Sequence, residues 1–338
     1  MSKVLVLKLG GRCNLHCPHC HAEPMDYQFN PLILDYIRKT GYKRITYSGG
    51  EPLLYFPLIK KITEALGHDF EYKFMTNATL LTDEMVDFLN EYHFTVGYSF
   101  DGYDSARDIG KPNLKAFAEI EHNTMSVTCY HHNIDLFKLK SDIDQFINKH
   151  DLKPRPSLYA NFVHQTATSD TDDTTFEDAQ SYCKQLALMI EPELLRIKSG
   201  KVKLNEARHW CGTAYMALYN WWLPKKYKGL KCFNTNVHCM TISGQFLVCP
   251  YTIKYPVGNF LTGINWQALD KLIPEKCKQC ELFNICHGSC MANVSGNECY
   301  IARTMNRWLN KVIDRHQLRP VLDQLFDKKN NPKYNKDE

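Results

Sequence analysis

The sequence predicts an α/β chain built on a parallel sheet curled as a full or partial barrel, followed by a small cysteine-rich region. Three observations carry this. Short β-branched or aromatic runs alternate with stretches of helical apolar spacing through the first half. A length of 338 residues with 44% apolar content suffices for roughly two domains with a substantial core. Most of the fourteen cysteines fall in two groups, one near the start and one in the last third.

Residues 4–9, 44–47, 72–75, 95–100, 125–130 and 157–162 read as strands. Between them, 31–40, 54–66, 82–91, 114–121 and 134–150 carry helical apolar spacing. Thr82-Asp83-Glu84 is a helix start, with a hydroxyl at the cap and acids in the first turn. Six β-then-α units imply a parallel sheet, and ligand-handling residues are then expected just past the strand C-termini. Residues 166–175 are polar and acidic and read as a linker, with a long helix after it from 176 to 197. Further helix-like segments from 201 give way to the cysteine-rich region, which ends near Cys299; final helices cover 301–316 and 320–326. The expected division is 1–165 for the barrel and 166–205 for the linker and bridging helix, then 206–310 for the cysteine-rich domain and 311–338 for a terminal helix and solvated tail.

Composition narrows the function. The net charge of +4 is mild and scattered, whereas nucleic-acid binding wants a concentrated basic face. The opening residues are too soon interrupted by charge for a signal peptide, and no stretch has the roughly 18 apolar residues that span a bilayer. A cytoplasmic chain is expected, with no membrane partner. In that compartment clustered cysteines point to metal rather than to disulfides.

The first group is Cys13-x3-Cys17-x2-Cys20, directly after the first strand. Three thiolates at this spacing bind three irons of a 4Fe–4S cubane and leave the fourth open to a small ligand. A tetrahedral zinc site borrowing His16, His19 or His21 is the alternative. After the second strand comes Tyr47-Ser48-Gly49-Gly50-Glu51-Pro52. Its two glycines allow close backbone approach to a ligand, and Glu51 can accept bonds from an ammonium group; an ordinary turn is the plainer reading. Thr76-Asn77 ends the third strand and Ser99-Phe100-Asp101-Gly102 the fourth. Their hydroxyl and amide groups suit a ribose and a carboxylate, or equally a pair of caps. Asn133 follows the fifth strand and fits either an Asx turn or a ligand contact.

The second group is Cys277-x2-Cys280-x5-Cys286-x3-Cys290, then Cys299, with Cys232, Cys239 and Cys249 upstream. Residues 240–249 read as two short strands around a turn at Ser243-Gly244. Structural zinc is again the alternative. Cys129 and Cys183 fall in apolar patterns and read as packing residues.

The first triad and the motifs at the strand ends resemble the radical S-adenosylmethionine superfamily, and the C-terminal pattern resembles its SPASM domain. His19 stands where that family commonly has an aromatic residue near the adenine, and Ala78 where Thr-Asn-Gly has its glycine. The resemblance implies a partial (β/α)6 barrel of radical SAM type followed by a SPASM domain. It implies three 4Fe–4S clusters and S-adenosylmethionine (SAM). The first cluster would sit on Cys13, Cys17 and Cys20, and SAM among His19, Gly49, Gly50, Glu51, Thr76, Asn77, Ser99 and Asp101. By position, Cys277, Cys280, Cys286 and Cys299 would bind one auxiliary cluster and Cys232, Cys249 and Cys290 the other. Its fourth ligand would be Cys239, with Cys211 or an open iron as alternatives. The chemistry implied is reductive cleavage of SAM to a 5′-deoxyadenosyl radical, hydrogen abstraction from a substrate, and electron removal by an auxiliary cluster. A ribosomally made precursor peptide is the expected substrate, with flavodoxin or ferredoxin as electron donor; a sulfatase maturase or small-molecule radical dehydrogenase is the alternative enzyme, and a zinc-binding or electron-carrier protein without SAM chemistry the alternative of another class. A sulfatase maturase usually has an acid after the Gly-x4-Cys cysteine; here Cys249 is followed by Pro250. With its first cysteine at position 13, the chain is expected to lack a separate N-terminal peptide-recognition domain. The aromatic segment from Trp210 to Trp222 reads as core packing or as a channel lining. No catalytic acid or base is assigned.

Overall fold

Ten strands form one continuous sheet, and its order explains where the cysteines meet. The computed structural model describes residues 3–20, 22–103, 105, 110–152, 157–162, 174–200, 229–230, 232–251, 254–286 and 296–326. Strands β1 (Lys3–Lys8), β2 (Tyr42–Ser48), β3 (Glu71–Thr76), β4 (Thr95–Ser99), β5 (His122–Cys129) and β6 (Ser157–Phe162) lie side by side in chain order, all parallel. The connecting helices are α1 (Leu32–Lys39), α2 (Phe56–Leu66), α3 (Asp83–Glu91), α4 (Leu114–Ala118) and α5 (Leu136–Lys149). This is the mixed α/β, parallel-sheet architecture expected from the alternating pattern.

The two faces of the sheet differ. Alternate residues of a strand share a face, and paired residues of parallel neighbours point the same way. Leu5, Leu7, Ile45, Tyr47, Tyr72, Phe74, Val96, Tyr98, Met125 and Val127 share one face and are buried in a single apolar cluster with helix residues such as Ile33, Ile59, Leu89 and Phe146. The opposite face carries Val6, Lys8, Thr46, Ser48, Lys73, Ser99, Thr124 and Ser126. Parallel sheets are usually apolar on both faces. Here one face is polar instead.

Helix starts follow local chemistry. The Thr82 hydroxyl accepts from Met85 N (3.3 Å), Asn113 from Ala116 N (3.2 Å), and Asp135 from Phe137 and Lys138 N (3.1 and 3.0 Å). Helix α4 ends at Ala118, three residues before the expected end at 121. Asn90 at the end of α3 takes its place there: its side chain donates to Glu119 O and accepts from Glu121 N, turning the chain into β5.

Past α6 (Phe176–Lys198) and the short pair β7 (Gly229–Leu230) and β8 (Phe233–Asn234), β9 (Val237–Thr241) returns to the barrel. It pairs with β1 in parallel, Val6 opposite Cys239 and Lys8 opposite Thr241. Strands β10 (Gln245–Leu247), β11 (Pro256–Asn259) and β12 (Gly263–Ile264) extend the same sheet antiparallel. The turn expected at Ser243-Gly244 joins β9 to β10. Gly244 has a φ of +95°, and a Cβ there would strike the Phe260 ring. Helices α7 (Trp266–Leu272), α8 (Glu275–Lys278) and α9 (Phe283–Cys286) lead to α10 (Asn297–Arg315) and α11 (Arg319–Phe326). Helix α10 lies against α6, where His316 Nε2 is 2.7 Å from Glu191. It begins four residues before the expected 301. Cys211, Cys290, His21 and the Trp210–Trp222 segment lie outside the described residues, and no described helix is long and apolar enough to cross a membrane.

Candidate active site

Three loops converge at the C-terminal ends of β1, β2 and β3. Cys13 and Cys20 are exposed and Cys17 half-buried, none of them in a disulfide. A turn places Cys20 N on Cys17 O (3.0 Å), and Leu15 N donates to Cys13 Sγ (3.4 Å). Cys13 and Cys20 are close enough to repel electrostatically as thiolates. Partial desolvation by the surrounding loop, then Glu51 and Cys20, hold the Cys13 thiol above its ordinary value, against the Leu15 and Asn14 N–H groups.

The glycines act first on the protein itself. A Cβ on Gly50 would collide with the carbonyl oxygens of Gly11 and Arg12, one on Gly49 with Gly10 O, and one on Gly11 with Glu23 O. They let the β2–α2 loop and the 22–26 segment lie directly on the cysteine loop. Glu51 N completes the join by donating to Arg12 O (2.9 Å).

Glu51 is 2% exposed and ties this loop to the next. Its Oε1 accepts from Leu53 N (3.0 Å) and Thr76 Oγ1 (2.7 Å), and its Oε2 from Asn77 N (2.9 Å). Burial raises its pKa while these donors oppose the shift. A carboxylate has about four acceptor positions, so one more donor, such as an ammonium, can still be accommodated. Asn77 continues the network: it donates to Asn14 Oδ1 (3.0 Å), and Asn14 donates to Thr79 Oγ1 (2.7 Å). Ala78 has a φ of +57°, which gives the physical reason for a glycine at that position in the motif it resembles.

His19 and Asp101 meet on the other side. His19 Nε2 lies 3.5 Å from Asp101 Oδ2, both nearly inaccessible, and the imidazole lies 5.0 Å from the Tyr130 ring. Asp101 Oδ1 accepts from Thr128 N (2.7 Å), and Asn133 Nδ2 donates to Asp101 O (2.9 Å). Asp101 and Asn133 thus join the ends of β4 and β5. Ser99 ends β4, half-buried on the polar face.

Among the described residues, C-terminal cysteines gather in two places. Cys277 senses the charges of Cys299 and Cys280, and the Arg303 guanidinium donates to Cys280 Sγ (3.7 Å) and bonds Cys299. Cys286 ends α9, half-buried. Cys232, Cys239 and Cys249 form the second group: burial, Cys249 and Cys232 push the Cys239 thiol up, and Lys8 pulls it down. Tyr251 adjoins this group and Cys20, and its phenol is pushed up to about 12 by burial and these thiols. Cys129 and Cys183 are buried in the apolar core.

Sequence reasoning missed the clamp behind the first loop. Tyr55 donates to Asp26 Oδ1 (2.9 Å) and accepts from Arg12 N (3.1 Å), while Arg12 Nε donates to the same carboxylate (3.1 Å). Arg303 was equally silent. Local patterns carry no signal for either.

Residues 7–121 match the family model of the Radical SAM superfamily. Over those residues the chain carries a radical SAM domain. The Fe-coproporphyrin III synthase of Methanosarcina barkeri is 28% identical over a stretch covering 46% of this chain and 40% of that protein. The uncharacterized protein MJ0907 of Methanocaldococcus jannaschii is 35% identical over 32% of this chain and 42% of its own. The chain therefore spans less than half the length of these two relatives. The serine-type anaerobic sulfatase-maturating enzyme of Bacteroides thetaiotaomicron is 23% identical across 86% of this chain and 82% of its own. Among solved structures, anSMEcpe with bound AdoMet and Cp18Cys peptide superposes with a TM-score of 0.65 at 17% identity, covering 92% of this chain and 98% of that one. Streptococcus suis SuiB bound to precursor peptide SuiA gives 0.58 at 15% identity, covering 87% and 75%. At such identities the likeness is one of fold.

The radical SAM domain match implies a 4Fe–4S cluster and SAM. The residues fit them: three thiols outside any disulfide share one short loop, and a buried carboxylate with spare acceptor capacity lies beside it.

Proposed function

We propose that this chain is a radical SAM maturase that oxidatively modifies, by cross-linking, a ribosomally synthesised peptide. Cys13, Cys17 and Cys20 would hold the SAM-binding cluster, and the C-terminal cysteines two auxiliary clusters as in a SPASM domain. The observation that carries this reading is the gathering of Cys232, Cys239 and Cys249 at β9, a strand hydrogen-bonded directly to β1 of the barrel. An electron acceptor there would adjoin the polar face on which a substrate radical forms.

The bound groups would supply a 5′-deoxyadenosyl radical and a one-electron acceptor. The chain itself would do the holding. Glu51 and the Asn77–Asn14–Thr79 network would fix the amino-acid end of SAM, with His19, backed by Asp101 and Tyr130, beside the adenine. The polar face of β1–β5 would receive the peptide. Peptides appear in the names of the anSMEcpe and SuiB complexes, which supports a peptide substrate. The likeness to a sulfatase-maturating enzyme favours a second reading, maturation of a sulfatase. Pro250 after Cys249 argues against it by removing the acid expected there.

Anaerobic reconstitution tests the reading: about twelve irons per chain are expected, from three four-iron clusters. A peptide encoded beside this gene, incubated with SAM and reductant, is expected to lose two hydrogens. Unchanged peptide mass, with a sulfatase peptide converted instead, would establish the second reading.

A further inference from the structure

Lys8 is buried to 1% exposure at the end of β1, and among the described residues its ammonium has no hydrogen-bond partner. The buried Tyr27 hydroxyl, whose ring lies 5.8 Å from Lys8 Nζ, also lacks one. An isolated buried ammonium is expensive and persists where an anion offsets it. Lys8 stands opposite Thr241 in the β1–β9 register, and Cys239, two residues earlier on β9, projects on the same face. Burial lowers the Lys8 pKa, and Cys239, Glu23 and Cys249 oppose that shift. One carboxylate and two thiols stand near, and the thiols are those assigned above to an auxiliary cluster.

We propose that the Lys8 ammonium is the built-in counter-charge of the auxiliary cluster on Cys232, Cys239 and Cys249, and that it favours the reduced form of that cluster. This rests on the auxiliary-cluster reading above. A 4Fe–4S core with four thiolates carries a net charge of about −2, becoming about −3 when it accepts one electron. A fixed positive charge in a low-dielectric setting stabilises the second state more than the first. The cluster would thereby accept an electron from a substrate radical more readily. Tyr27 would add a neutral donor beside the same anion.

The test is an anaerobic redox titration, with dithionite as reductant and no peptide present, followed by electron paramagnetic resonance. The C13A/C17A/C20A background silences the first cluster. Lys8→Met keeps the volume and removes the charge, a replacement buried sites tolerate well; Lys8→Arg keeps the charge. At the wild-type midpoint, K8M is expected to show about a tenfold lower reduced-to-oxidised ratio for one cluster, equivalent to about 59 mV for a one-electron couple. K8R is expected to stay within about twofold. A K8M protein with full iron and an unshifted midpoint overturns the proposal. If K8M alone loses about four irons, one cluster's worth, the counter-charge acts at assembly and the proposal stands; loss in both variants assigns Lys8 to packing and overturns it. If the parent holds no auxiliary iron at all, the cluster reading fails first and takes this proposal with it.

Discussion

The two cysteine regions are built on opposite principles. The Cys13–Cys20 loop is held by the protein: Gly11, Gly49 and Gly50 let three loops touch, Glu51 ties them, and Tyr55 with Asp26 and Arg12 clamps the outside. Of the described C-terminal cysteines, Cys277 and Cys286 sit on the four-residue helices α8 and α9, Cys239 on β9 and Cys299 in the first turn of α10, and the thiols that meet come from distant positions, as Cys277 and Cys299 do. One site is prebuilt for the cluster proposed there. The other would be shaped by what it binds, since so many thiolates brought together repel until metal neutralises them.

Removing iron should break the comparison most visibly. After chelation, amide-exchange protection across residues 229–326 is expected to fall by about tenfold or more, while β1–β5 stay within about twofold. Equal loss in both regions would show that the barrel loop also depends on its metal. Gly50→Ala probes the prebuilt side. Its Cβ meets backbone rather than a movable side chain, so a loss of about 2–4 kcal/mol in unfolding free energy is expected, with iron lost from the first site alone.

How far this contrast could be read in advance depends on the range of the interactions. Strands and helices followed from apolar spacing, the Thr82 cap from its hydroxyl, and the Gly244 turn from its residue type. All are local signals. The return of β9 to β1 was not legible, because nothing in residues 237–241 names a partner more than two hundred positions away. Glu51 was read as a ligand contact, and only the fold reveals it as a three-way tie between loops. Lys8 drew no notice, since one lysine ending a strand is ordinary until its burial is known.

Smaller effects sharpen the picture of the junction between the regions. His238 on β9 bonds Tyr42 on β2 (2.5 Å), and burial lowers its pKa from 6.5 to about 4. Its folded value lies below its unfolded one, so protonation favours unfolding. The contribution is whole above pH 6.5 and is lost as pH falls toward about 4. Between about pH 7.5 and 5.5, wild-type unfolding free energy should drop more steeply than that of His238→Gln, by up to about 1.4 kcal/mol per pH unit. Parallel curves would remove His238 from the account. Thr82→Ala, far from both cysteine groups, should cost about 1 kcal/mol in thermal or denaturant unfolding and leave iron content unchanged.

The central claim is that Cys13, Cys17 and Cys20 hold the cluster that opens SAM. The most direct measurement is 5′-deoxyadenosine release, with iron counted alongside, for the wild type and the C13A/C17A/C20A variant under dithionite. The expected result is release by the wild type, none by the variant, and a loss of about four irons, one cluster's worth. A variant that still releases 5′-deoxyadenosine, or a wild type that holds zinc and releases none, would contradict it.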